Sequence, residues 1–235
     1  MNRILILATS ALFLFSTACG QKSSSPQTNS PQDTKTSVAD TKQETILLQK
    51  LTSDAIPGEI GYQGDLVEGY RYTDKMGDNI VICTETGVMV WDEPEDGLVL
   101  SNSVLYAYHF LKKGNDWEEI WKVYDMEFEC VNYPVAEFVK GSLSITDLNN
   151  DGVAEIWIMY IKSCKGDVSP DAMFLRMYDN EEIYTMTGEN RIKISDGDSE
   201  TVWGGEYTMD DRFLNRNTPA KFVEYAKEMW GKYND

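Results

Sequence analysis

Short runs of aromatic and β-branched residues alternate with turns rich in Gly, Asn and Asp over residues 45–235, and this alternation limits the fold more than any other feature of the sequence. Such spacing is typical of antiparallel β proteins. The segment is within single-domain size and contains no second Pro/Ser-rich break. We therefore expect one β-rich globular domain over residues 45–235.

Three hairpins and one central strand can be placed from the pattern. The hairpins pair Val67–Tyr72 with Asn79–Thr84, Val104–Leu111 with Trp117–Tyr124, and Ala172–Tyr178 with Ile183–Thr187. Residues Ile156–Ile161 are apolar on both faces, so we expect a strand that is covered on each side.

The C-terminus changes to a helical period. Thr218 is a candidate N-cap and Pro219 suits the first turn. Five apolar residues then share one face of the predicted helix: Phe222, Ala226, Met229, Trp230 and Tyr233. The expected fold is mainly β, an antiparallel sheet or sandwich with one C-terminal helix.

The N-terminus has the pattern of an export signal. A basic start at Arg3 is followed by the apolar run Ile4–Phe15 and then by small residues before Cys19. This order resembles the lipobox of bacterial lipoproteins, which implies cleavage after residue 18 and acylation, palmitate included, at Cys19. Ser16 and Ala18 also fit ordinary secretory cleavage, so a soluble secreted protein is the alternative.

Residues 19–44 are rich in Ser, Thr, Gln, Pro, Asp and Lys and have almost nothing apolar to bury. We expect a disordered tether between the lipid and the domain. The predicted location is the cell envelope, anchored to a membrane such as the outer membrane and facing the periplasm or the cell surface.

The charge argues against nucleic acid as a partner. The chain has 21 basic and 39 acidic residues and a net charge of −18. Removal of residues 1–18 takes away one Arg and no acid, so the mature chain would carry −19. An acidic surface repels phosphates and anionic lipids, so the predicted membrane attachment depends on the acyl chains.

Cysteine usage predicts one disulfide. Export places the chain in an oxidising compartment, and acylation of Cys19 would leave three thiols for at most one intramolecular pair. We predict that Cys130 pairs with Cys164. Cys83 ends the apolar stretch Ile80–Ile82, where a buried free thiol behaves as a small apolar group.

Residues 147–155, Asp-Leu-Asn-Asn-Asp-Gly-Val-Ala-Glu, form the strongest internal motif. They resemble the calcium loops of EF-hands, dockerins and FG-GAP-type β repeats, in which alternate oxygens meet one cation. The ligands implied are Asp147, Asn149, Asp151, the Val153 carbonyl and Glu155. The twelfth loop position is Ile158, whereas an EF-hand has a bidentate Glu there. The alternative is a plain hairpin turn whose acids face water.

The chain also resembles an uncharacterised family of bacterial lipoproteins, some of which are labelled as surface-polysaccharide biosynthesis proteins. The residues that carry this resemblance are Thr146–Asn149, Ser163–Asp171 and Phe174–Tyr178. It implies a location in the envelope and assigns no catalytic residue.

Catalytic motifs are sparse. The single histidine, His109, excludes a multi-His zinc site, and no nucleophile-elbow, Walker or dinucleotide-binding pattern occurs. His109 lies in an aromatic strand segment, where we expect a packed or surface side chain. We therefore expect a lipid-anchored, calcium-stabilised binding or structural module with an envelope glycan or protein as partner. The alternative is an envelope enzyme that cleaves glycan with a carboxylate pair.

Overall fold

The first sheet is an antiparallel meander. A computed structural model describes residues 46–90, 97, 99–197 and 199–234. The five strands follow one another in space in chain order. They are β1 (Gln49–Lys50), β2 (Asp65–Asp74), β3 (Gly77–Val90), β4 (Ser101–Lys113) and β5 (Asp116–Cys130).

The second sheet contains six strands, all antiparallel to their neighbours. Its first five are β6 (Tyr133–Phe138), β7 (Ser144–Thr146), β8 (Glu155–Lys165), β9 (Ala172–Asp179) and β10 (Glu182–Glu189). Two strands, β11 (Ile192–Asp196) and β12 (Ser199–Trp203), form a separate ribbon. The last strand, β13 (Tyr207–Met209), pairs with β10, and helix α1 (Ala220–Tyr233) follows.

The two sheets pack face to face, so the fold is the sandwich form of the predicted β class. Cys83 and Leu105 of the first sheet share one buried cluster with Ile158 and Tyr160 of the second. The outer face of the second sheet is covered by α1, and the outer face of the first by residues 51–62. Both central regions are thus covered on each side.

That double covering explains the continuous apolar runs. Along β8, Ile156, Ile158 and Tyr160 face the inter-sheet core, while Trp157 and Met159 face α1. The prediction of a central strand at 156–161 is confirmed, as are the three hairpins.

The predicted disulfide between Cys130 and Cys164 is present, and Cys83 is free and buried. Cys130 ends β5 in the first sheet, whereas Cys164 pairs with Pro134 in the second. The bond therefore joins the two sheets.

The helix cap differs from the prediction. Helix α1 buries Phe222, Ala226, Met229 and Trp230 as expected, but it has no side-chain cap. The Thr218 hydroxyl donates instead to the carbonyl of Arg212 in the preceding loop.

The predicted signal peptide (1–18), Cys19 and the tether (19–44) lie outside the described residues. Within the described ranges no helix is long and apolar enough to cross a membrane.

Candidate functional site

The loop 147–154 connects the two sheets by hydrogen bonds at one end of the sandwich. It joins β7 to β8, which pair from Thr146 and Glu155 onwards. Its Gly152 carbonyl accepts a bond of 2.8 Å from the amide of Lys75, in the turn between β2 and β3. Its Ala154 amide donates to the Asp74 carboxylate at 3.0 Å. The sequence motif is thus a structural contact between the sheets.

The acidic side chains of this loop bind the loop's own backbone. The Asp147 carboxylate accepts from the amides of Asp151 and Gly152, and Asp151 accepts from Val153. These contacts are those of a hydrogen-bonded turn built by Asx residues.

Glu155 is fully buried and is held by the start of the same loop. It accepts bonds from the Thr146 hydroxyl and from the amides of Leu148 and Asn149. Burial raises the pKa of this carboxyl, and the hydrogen bonds oppose that rise. In the part of the chain that the structure describes, no group of three or more His, Cys, Asp or Glu side chains is placed to hold a metal ion. The contacts support the turn alternative, and calcium binding stays a prediction.

A cavity of about 430 Å³ opens beside this loop, between the ends of the two sheets. Tyr72 and His109 come from the first sheet, Tyr178 from the second, and Ala154 from the loop. Trp121 of β5 closes one side and stacks on Tyr178 with ring centroids 4.0 Å apart. We call this cavity the His109 pocket. Its volume lies within the range of small-molecule sites.

The orientation of His109 is fixed by a hydrogen-bonded chain. Asn79, which is 1% exposed, donates both amide hydrogens, to the Asp74 carboxylate and to the Gly77 carbonyl, each at 2.9 Å. The Asn79 Oδ1 therefore faces Nε2 of His109, at 2.9 Å. Because this oxygen can only accept, Nε2 carries the hydrogen.

The other ring nitrogen has an unused lone pair. Burial lowers the pKa of His109 to about 4, and the nearby Asp74 only partly offsets this. The ring is therefore neutral at pH 7, and with the hydrogen on Nε2 its Nδ1 is an acceptor. Nδ1 is buried and has no hydrogen-bond partner among the described residues. A buried polar atom of this kind is costly unless something binds to it.

Aromatic rings complete the interior. The Trp121 ring lies 5.5 Å from that of His109, and the Tyr72 ring lies 6.4 Å from it on a nearly parallel plane. Tyr72 is 2% exposed, and burial raises its pKa, so its hydroxyl stays protonated. The mouth carries the charged residues, which are Asp74, Lys113, Glu118, Glu181 and Glu182.

A larger depression of about 870 Å³ lies beside β1 and is also lined by Tyr72. Two of its charged groups are already paired, since Arg71 and Asp78 form a bidentate salt bridge. It offers no buried polar atom comparable with Nδ1 of His109.

Sequence reasoning found the residues of the loop but not the pocket. His109 was expected to be a packed or surface histidine, and it is packed. Its neighbours come from four separate strands, so no spacing in the sequence could indicate that they meet.

Comparison of the chain with protein-family models, curated proteins and solved structures found no match.

Proposed function

We propose that this protein is a lipid-anchored, extracytoplasmic module that binds a small molecule in the His109 pocket. The observation that carries the proposal is the cavity of about 430 Å³ in which His109 lies among the aromatic residues Tyr72, Trp121 and Tyr178. Ligand sites combine apolar and aromatic walls with a few well-placed polar groups. The pocket has that composition.

The pocket's polar groups suit binding better than acid–base catalysis. Asp74 accepts four hydrogen bonds, from the amides of Met76, Gly77 and Ala154 and from Asn79. A carboxylate held in this way supports the fold. Since His109 has a pKa of about 4, it lies far from the value near 7 that suits general acid–base work at neutral pH.

The pocket is tested by a matched pair of tryptophan variants. Small cationic, neutral and anionic molecules would be screened against the purified full-length chain by ligand-observed NMR. Any ligand found should bind Trp121→Ala at least about tenfold more weakly, because one aromatic wall is removed. Trp203→Ala, at a half-exposed tryptophan of β12, should bind normally. Equal binding by Trp121→Ala would contradict the proposal.

The anchor is supported by the apolar run that ends at Ala18–Cys19 and by the disulfide, which suits an oxidising compartment. Labelling of cells with a fatty-acid analogue should tag the wild-type protein and spare Cys19→Ala. Cys83→Ala should be tagged like the wild type. Equal labelling of the wild type and Cys19→Ala would contradict acylation at Cys19, and an unlabelled wild type would support the soluble secreted alternative.

A further inference from the structure

We propose that the ligand of the His109 pocket is an uncharged, mainly apolar organic molecule, such as a naphthalene derivative. This inference rests on the binding function proposed above and specifies the chemistry of the ligand. Two properties of the pocket carry it. The polar groups of the interior are already engaged within the protein, and apolar side chains that line the cavity are still exposed to water.

The polar groups of the interior have little left to offer a ligand. Asp74 accepts bonds from three backbone amides and from Asn79. Asn79 uses both amide hydrogens, and its oxygen bonds to Nε2 of His109. The second ring nitrogen, Nδ1, is covered by protein atoms and lies out of a ligand's reach. A polar ligand group beside these residues would therefore lose its water without gaining a partner from them, which is costly.

Apolar side chains line the same cavity. Leu111 of β4 and Ile156 of β8 are both 2% exposed, and Val153 of the loop lies beside them in the lining. Two further lining residues remain in contact with water, since Met76 of the β2–β3 turn is 51% exposed and Ile120 of β5 is 42% exposed. An apolar molecule in the cavity would remove both side chains from water, which favours binding.

The charges at the mouth do not provide a site for an ion. Glu182 is paired with Arg212, which leaves Glu118 and Glu181 together with the opposite charge of Lys113. An ion inside the cavity would also lose its water without an available counter-ion, because the interior carboxylate is already saturated by hydrogen bonds. An uncharged molecule should therefore bind more tightly than an ionised molecule of the same shape.

Two fluorescent probes with the same ring skeleton test this preference. N-phenyl-1-naphthylamine is neutral, whereas 8-anilino-1-naphthalenesulfonate carries an added sulfonate. Each would be titrated into the purified full-length chain at about 0.15 M salt, which screens diffuse charge effects. The neutral probe should bind at a saturable site at least about tenfold more tightly than the sulfonate. The same preference should persist in full-length Cys19→Ala, which has no acyl chain at that position to bind the probe.

A matched pair of variants locates the site. Ile120→Ser should weaken binding of the neutral probe about threefold to tenfold, because it removes apolar surface from the lining. Val202→Ser makes a similar change at a residue of β12 that is 48% exposed and should have no effect. Absence of neutral-probe binding, its loss in Cys19→Ala, or equal effects of the two serine variants would overturn the proposal. Tighter binding of the sulfonate, weakened by Trp121→Ala, would overturn it while leaving the binding function intact.

Discussion

At the residue scale, the unusual group is a neutral, half-buried histidine that is linked to a carboxylate through Asn79. His109 faces Asp74 through Asn79 on its own sheet, and it meets Trp121 of β5 and Tyr72 of β2. Asp74 compensates only in part for a charge on the ring, so the effect of burial prevails. The protein therefore tolerates the neutral ring and resists its protonation.

This resistance predicts a specific acid sensitivity. The unfolded chain binds a proton at His109 near pH 6.5, whereas the folded chain binds it only near pH 4. Between these values the unfolded state holds more protons, so the free energy of unfolding falls as the pH falls. The loss should reach about 3 kcal/mol near pH 4 and then stop growing.

Urea unfolding at pH 7, 5.5 and 4 would measure this loss. Carboxylates also titrate between pH 4 and pH 6.5, so the wild type must be compared with a control variant. The control is His109→Gln, whose amide can still donate to Asn79. The informative quantity is the difference between the two proteins in the free energy of unfolding at each pH. The two proteins should differ in the pH dependence of unfolding above pH 4. Parallel pH profiles would show that His109 is not buried as described.

At the element scale, the sequence predicted the hairpins and the helix, because these elements depend on contacts between residues that are close in the chain. The hairpins follow from local alternation, and the helix follows from Phe222 to Trp230 at a period of 3.6. The pairing of β6 with β8, and the packing of residues 51–62 on the outer face of the first sheet, depend on distant contacts that no local pattern encodes. The pocket belongs to this second kind.

The loop 147–154 also has a testable role as an element. Asp147 accepts hydrogen bonds from two backbone amides, so Asp147→Ala should lower the free energy of unfolding by about 1–3 kcal/mol in chelator. If the loop is only the hydrogen-bonded turn, the wild type should melt alike in chelator and in millimolar calcium. A rise with calcium that Asp151→Ala abolishes would instead establish the calcium site of Asp147, Asn149, Asp151, Val153 and Glu155.

The disulfide between Cys130 and Cys164 also joins the two sheets, but by a covalent bond. It closes a loop with a sequence separation of 34 residues, which on chain-entropy grounds stabilises the fold by about 3–4 kcal/mol. Reductant should lower the urea midpoint of the wild type to that of the Cys130→Ser, Cys164→Ser double variant. Reductant should leave the double variant unchanged, and a midpoint that never moves in the wild type would contradict the pairing.

At the scale of the whole molecule, two pH effects oppose each other. Acidification removes the negative charge of the chain, whose pI is about 4.4, and so relieves self-repulsion. The same acidification favours protonation of His109, which the unfolded state accepts more readily than the folded state, and so it favours unfolding. Salt separates the two effects, because it screens exposed charges and leaves the burial of His109 unchanged.

Salt should therefore stabilise the protein at pH 7 and have little effect near pH 4.4. With a net charge of −18, repulsion between exposed carboxylates opposes the compact state at pH 7, and about 0.5 M sodium chloride shortens the range of that repulsion to a few ångströms. Calorimetric melts at about 0.02 M and 0.5 M salt would show a higher Tm in salt at pH 7. At pH 4.4 the same salt step should leave the Tm nearly unchanged, because little net charge is left to screen. An equal rise at both pH values would attribute the effect to the general action of salt on apolar burial and not to the acidic surface.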